Sequence, residues 1–258
     1  MRYPLMPQTR TLVIPHLLND DIVAIWRAAA DAGWDVARVG GFTIDPGLAV
    51  RDLCVFGPLS FGDDMRAALR MALIEPTDDW LGGLPWPFLK RRITFMQLAE
   101  ARRLSVPAFI KPPREKSFPS RVYASGRDVA VPASFGDHRV VLVAEPVTFG
   151  WEVRLFVLEH TIAASSPYSY RGERPRIPCP RETLASALRF GRALLDTPEI
   201  PLPPAVVIDV GFIEGRGWAV VEANAAWASA LYLASPSQVL PVLMRASASF
   251  GSSSENAR

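Results

Sequence analysis

Asp209, Glu222 and Asn224 carry the clearest chemistry in this 258-residue sequence. They lie in two valine-rich runs, 206–212 (VVIDVGF) and 218–224 (WAVVEAN), separated by Glu214-Gly215-Arg216-Gly217. The runs predict a hairpin, and a two-residue loop at Gly215-Arg216 suits a type II′ turn with glycine first. That loop sets Asp209 opposite Glu222, and Asn224, two residues on, shares the face of Glu222. Facing like charges destabilise a strand pair, so two carboxylates and an amide oxygen on one face call for a cation. Hard oxygen ligands favour Mg²⁺ or Mn²⁺ over zinc. The competing reading is a solvated acidic face paired by accident of register. A three-residue loop would shift the register and separate the two acids.

Other residues have chemistry only in combination. Lys111 ends a strand-like run (VPAFIK) at the mouth of a loop, 112–120 (PPREKSFPS), that returns through Arg121–Ala124. Arg114, Lys116 and Ser117 on that loop could close over a triphosphate, although no GxxxxGK[ST] pattern is present. A solvated hairpin tip is the plainer alternative. Val140–Val147 (VVLVAEPV) offers an apolar edge ending in Glu145-Pro146-Val147, which suits a purine slot or simply a buried strand. Glu152 and Arg154, spaced i and i+2, share a strand face that Phe156 and Leu158 continue as core. Either they form an internal salt bridge or Arg154 holds a phosphate or carboxylate of a ligand. His16, His138 and His160 are scattered and read as turn or surface residues. No GxSxG elbow and no His-rich metal pattern supports hydrolase or dehydrogenase chemistry.

Those residues need elements to position them. Residues 1–90 read as a small α/β unit: strand Thr11–Pro15, a helix from Asn19 or Asp20 to Ala32, strands Trp34–Val39 and Leu53–Phe56, a helix from Phe61 to about Arg70, and strand Met71–Ile74. A Pro- and Trp-rich connector, 78–89, follows. Residues 91–245 hold a predicted helix over 93–104, a hairpin around Glu159-His160, a helix at Arg181–Leu195 and the acidic hairpin. Residues 246–258 read as a flexible, Ser-rich tail. The +2 formal charge and the absence of a basic run argue against a nucleic-acid partner. No apolar run predicts a signal peptide or a membrane span. Cys54 and Cys179 read as thiols of a reducing cytoplasm. The chain has only three lysines among its 28 basic residues, Lys90, Lys111 and Lys116, all in one stretch.

In order, these features resemble the ATP-grasp superfamily of ATP-dependent carboxylate–amine ligases over about residues 11–235. The Asp209…Glu222-x-Asn224 ending is the most specific match. The resemblance implies an α/β and α+β fold, with an N-terminal pre-ATP-grasp unit and two subdomains clamping ATP. It implies Lys111 on the α/β phosphates, Lys116 on the covering loop, Glu145, Pro146 and Val147 as the adenine hinge, and Glu152 near the ribose. Mg²⁺ (or Mn²⁺) would be held by Asp209, Glu222 and Asn224. Arg154 would stabilise the acyl phosphate, and Ser165, Tyr168, Tyr170, Arg171, Trp227 and Tyr232 would line the acceptor pocket, with Arg171 counted among the catalytic candidates beside Arg154 and Lys116. Lys90, Arg91 or Arg92 would add a phosphate contact. Val207 stands where several ligases have arginine. The implied activity is amide or peptide bond formation through an acyl phosphate. The implied substrates are a small-molecule or peptide carboxylate and an amine, and the oligomeric option is a homodimer. The alternatives are a kinase or phosphotransferase at the same site, or a non-catalytic nucleotide-binding module.

Overall fold

The computed structural model describes residues 10–40, 47–48, 52–112 and 117–249. Strand β1 (Arg10–Pro15) is apolar on both faces, with Leu12, Val13 and Ile14 fully buried, as a central parallel strand requires. Helix α1 (Asp20–Asp31) starts where the Asn19 side chain accepts from the Ile22 N–H at 2.9 Å, and it carries Asp20 and Asp21 in its first turn. Strands β2 (Asp35–Val39) and β3 (Asp52–Val55) flank β1 in a parallel sheet of order β2-β1-β3. Helix α2 (Leu59–Leu69) and strand β4 (Met71–Leu73) complete the predicted α/β succession.

A short connector with helix α3 (Trp86–Leu89) follows. The helix predicted over 93–104 is instead strand β5 (Ile93–Gln97) followed by a single turn, α4 (Leu98–Ala101). Ile93 to Gln97 pair antiparallel with a later strand, Val140–Ala144, and helix begins only at the reciprocal Gln97/Glu100 capping box. Strands β6 (Ala108–Lys111), β7 (Arg121–Tyr123) and β8 (Val140–Ala144) join β5 in an antiparallel sheet of order β5-β8-β6-β7.

The larger sheet contains β9 (Phe149–Leu158), β10 (Thr161–Tyr170), β11 (Ala205–Ile213) and β12 (Gly217–Asn224), in order β10-β9-β11-β12. Glu159 and His160 turn β9 into β10 with positive φ at both positions, as a type I′ turn requires. Helix α5 (Arg181–Leu195) covers one face over Val153, Leu155, Val206, Ile208 and Val210. Phe156, Ala164, Ala205 and Val207 on the opposite face merge with the core of the parallel sheet.

Helix α6 (Pro236–Ala246), which the sequence reading did not include, makes that junction. Its buried Val239, Leu240, Val242 and Leu243 join the same core, and it contacts α1, β3, β9 and β11. Strand β13 (Ser247–Ser249) then pairs with β4, so the expected flexible tail does not start at 246. Buried Ser247 fixes it: its Oγ accepts from the Val55 N–H at 2.9 Å and donates to the Leu243 carbonyl at 3.0 Å. Residues 250–258 lie outside the described residues.

Candidate active site

The acidic hairpin pairs as expected but by a different backbone path. The loop has three residues: Arg216 N–H donates to the Ile213 carbonyl at 3.0 Å across a turn with Gly215 at φ +75°. Positive φ at the second central residue is a type II feature, not the predicted type II′. Pairing then runs one for one from Ile213–Gly217 to Val210–Val220. Continued unchanged, it would set Val221 opposite Asp209 and turn Glu222 toward α5. Instead a bulge falls here, and Asp209 is partnered by Glu222. The extra residue cancels the shift from the longer loop and returns Glu222 and Asn224 to the face of Asp209.

Across the sheet, Ser166, Arg154, Asp209 and Glu222 form one transverse row on β10, β9, β11 and β12. Asp209 is fully buried and takes a bidentate fork from Arg154, Nε to Oδ1 at 2.9 Å and Nη2 to Oδ2 at 2.7 Å. Arg154 Nη1 donates to the Ala230 carbonyl at 3.0 Å. All three guanidinium nitrogens are therefore engaged, and the salt bridge that Arg154 forms is with Asp209 rather than with Glu152, its neighbour on the strand face. Tyr168 and Tyr232 stack at 4.9 Å, and the guanidinium lies 5.4 and 5.0 Å from their rings. Glu152 accepts from Tyr168 OH at 3.0 Å and Ser169 Oγ at 2.5 Å.

Lys111 reaches from the smaller sheet to Glu222, Nζ to Oε2 at 2.6 Å. Asn224 Nδ2 donates to Glu222 Oε1 at 3.0 Å and toward Asp209 Oδ2 at 3.4 Å. The one amide hydrogen-bond donor thus points between two carboxylates, the spot where positive charge is best placed. Turned over, the same amide presents an oxygen there, so the donor set fits a hard divalent cation. Burial opposes charge on Glu222, but Lys111, Asn224 and Arg154 together hold its carboxyl below the ordinary range. Burial pushes Asp209 above that range against the pull of Arg154, with Glu222 and Glu152 adding to the rise.

A cavity of about 170 Å³ opens beside Lys111, Pro112, Leu142, Glu222 and Asn224, with Glu75–Leu81 as its far wall. Of the covering loop, Ser117 is described; its Oγ is buried with no hydrogen-bond partner among the described residues. Arg114 and Lys116 lie outside them.

A family model described as ATP-grasp domain, R2K clade family 2, matches residues 88–242, more than half of the chain. The chain belongs to this ATP-grasp family. A RimK domain protein ATP-grasp from Sphaerobacter thermophilus DSM 20745 superposes with a TM-score of 0.53 at 15% identity, covering 92% of this chain and 98% of that one. The D-cycloserine synthetase DcsG gives 0.52 at 13% identity, with coverage of 91% and 98%. The D-alanyl-alanine synthetase A from Vibrio cholerae O1 biovar eltor gives 0.50 at 14%, with coverage of 88% and 91%. At these identities the likeness establishes the ATP-grasp fold. No curated protein sequence matches the chain.

The remaining candidates occupy two further places in this ATP-grasp domain. Pro146 and Val147 line a second cavity, about 910 Å³, with Trp151, Tyr170, Arg171 and Trp218 beside the start of α5. Arg171 is therefore not brought to the Arg154–Asp209 cluster. Glu145 is braced by Arg216, Nη2 to Oε1 at 2.7 Å, and by the Arg92 N–H at 3.3 Å. Those hydrogen bonds, the Arg216 one foremost, depress its carboxyl. Glu152, Tyr168 and Tyr232 border a third cavity with Asp20 and Asp21 at the start of α1. Trp227 is fully buried, its indole N–H donating to the Ile74 carbonyl at 3.1 Å, and belongs to the core. All three histidines are exposed. Among the described residues, no helix is long and apolar enough to cross a membrane.

Arg91 and Arg216 are functional-region residues whose roles the sequence did not reveal. Of the triplet 90–92, Arg91 is buried and points into protein: Nη1 donates to the Val220 carbonyl at 2.6 Å and Nη2 to the Val221 carbonyl at 3.0 Å. Its guanidinium lies 5.1 Å from the Phe149 ring, and burial lowers its pKa to about 10. Only the odd placement of three consecutive basic residues after an apolar turn signalled anything there.

Proposed function

We propose that the protein is an ATP-dependent ligase that activates a carboxylate as an acyl phosphate and joins it to an amine. The observation that carries this reading is the charge ladder Arg154–Asp209–Asn224–Glu222–Lys111, which spans the cleft between two antiparallel sheets. Membership of the ATP-grasp family and the solved ligases of the same fold support it. The unit over 91–245 would carry the nucleotide, after an N-terminal unit over 1–90.

In this reading Glu222 and Asn224, with Asp209 behind them, hold Mg²⁺ or Mn²⁺. A cation held there would offset charge on the transferring phosphoryl group. Lys111 exchanges its partner Glu222 for an ATP phosphate, and Lys116 covers the phosphates from the loop. Ser117 Oγ supplies a spare hydrogen-bonding group on that loop. Glu145, Pro146 and Val147 form the adenine hinge, and by the resemblance Glu152 faces the ribose. Arg154 orients Asp209 and favours its charged form, which makes it a positioning residue. The γ-phosphoryl group passes to the substrate carboxylate with loss of ADP. The amine then attacks the acyl carbon and phosphate departs, a far better leaving group than oxide. Substrates are a small-molecule or peptide carboxylate and an amine.

The test is phosphate release from ATP across paired acids and amines. A ligase releases ADP and phosphate only when both are present. A stable phosphorylated product would indicate a kinase, and nucleotide binding without turnover across the panel would indicate a binding module. Asp209→Asn with Glu222→Gln should abolish Mg²⁺-dependent turnover in a folded protein; retained activity would sink the assignment.

A further inference from the structure

We infer that Arg91 is the positioning residue of the cation site, acting through the backbone bulge of β12. This rests on the proposed use of Glu222 and Asn224 as cation ligands. A bulge leaves local backbone groups outside the regular ladder, and such carbonyls need another donor when buried. At Val220 and Val221 that donor is the fork of Arg91, which spans both carbonyls at 2.6 and 3.0 Å and also reaches the Leu89 carbonyl at 3.2 Å. These are the residues at which the pairing changes, between Val210–Val220 and Asp209–Glu222. Because side-chain direction alternates along a strand, losing the bulge would swing Glu222 and Asn224 away from Asp209. Arg91 thus fixes which face the ligands occupy without touching the ligand set.

The geometry also separates this role from a phosphate contact. Arg91 is 5% exposed and lies against the Phe149 ring, so its guanidinium is enclosed by protein. Lys90 and Arg92 meet the neighbourhood through backbone: the Lys90 carbonyl accepts from Arg216 Nη1 at 2.9 Å, and the Arg92 N–H donates to Glu145. Among the described residues, Arg91 is the side chain that hydrogen-bonds the segment before β5 to the bulge carbonyls. A lysine could not replace it, because a single ammonium lacks the planar fork that meets two adjacent carbonyls.

The experiment measures Mn²⁺ binding by electron paramagnetic resonance in the presence of ADP, for the wild type, Arg91→Lys, Arg91→Gln and the control Arg189→Ala, on the exposed face of α5. Changes to groups that orient metal ligands commonly cost 10–100-fold in metal affinity. Both Arg91 variants should lose Mn²⁺ affinity in that range while ADP affinity, measured without metal, stays within twofold. Hydrogen exchange at the 220–224 amides should accelerate in the same variants, and Arg189→Ala should bind Mn²⁺ as the wild type does. Unchanged Mn²⁺ affinity in Arg91→Lys overturns the inference, as does a loss confined to ADP, which marks a phosphate contact. If Arg91→Gln does not fold, Arg91→Lys, which keeps the charge but not the planar fork, decides alone. Wild-type protein that binds neither Mn²⁺ nor ADP would overturn the proposed function itself, a result distinct from either of these.

Discussion

Arg154 and Asp209 are a buried pair whose partners cannot be removed singly without consequence. Breaking a buried ion pair leaves an uncompensated charge and typically costs about 3–5 kcal/mol, whereas replacing both members by apolar groups is often near neutral. Arg154→Met should therefore lower stability by about that amount in chemical denaturation. Arg154→Met with Asp209→Leu should recover most of it while remaining unable to turn over ATP. A single variant as stable as the wild type would show that the fork contributes nothing to folding. At this scale the sequence was informative about identity and poor about commitments. Glu152 and Arg154 share a face as their spacing required, but that Arg154 faces Asp209 depends on the β9–β11 register, which no local pattern contains. Arg171 follows β10 in sequence yet turns away with φ +53° beside Gly172, toward the cavity at α5.

Elements were legible where a local signal and the tertiary environment agreed. Helix α5 occupies the predicted Arg181–Leu195, because its apolar stripe meets an apolar sheet face. Over 93–104 the two disagreed. The run ITFMQ alternates on a strand as well as it spirals on a helix, and the edge of β8 decided for strand. Helix α6 was hidden by its internal Pro241, which is exposed in the structure. Strand β13 was hidden because three small residues carry no pattern, only a partner in β4. Ser247 gives that pairing a test. Removing its Oγ orphans the buried Val55 N–H, a loss worth about 1–3 kcal/mol. Ser247→Ala should lower the unfolding free energy by that amount, measured by urea titration. No change would mean that the C-terminal strand is an ornament on the fold.

At the scale of the molecule, three cationic side chains among the described residues tie the smaller sheet and the segment before it to the larger one: Lys111 to Glu222, Arg91 to β12, and Arg216 to Glu145. The Lys111–Glu222 tie lines the cavity of about 170 Å³, which is below the roughly 300–1,000 Å³ typical of ligand pockets. The ties fall on pH in a definite direction. Glu145 and Glu222 are depressed in the folded protein, so their contribution is complete above the unfolded carboxylate value, about 4.3. It is lost as pH falls through their folded values. Asp209 is raised and acts in the opposite sense, so the difference between two proteins is the clean measurement. In Arg216→Ala, Glu145 loses its main tie. Thermal unfolding of this variant should lose less between pH 5 and pH 3 than the wild type does, by about the Glu145 share. Identical pH profiles would exclude the Arg216 tie from holding the cleft. The β12 bulge has one more consequence. Thirteen residues from Asp209 to Glu222 suit two backbones equally, a two-residue loop with an unbroken ladder or a three-residue loop with one residue doubled. The spacing is a parity code: it preserves which side of the sheet the acids occupy and is degenerate about the route taken, so a chain can lengthen its turn provided it miscounts once more before the ligands.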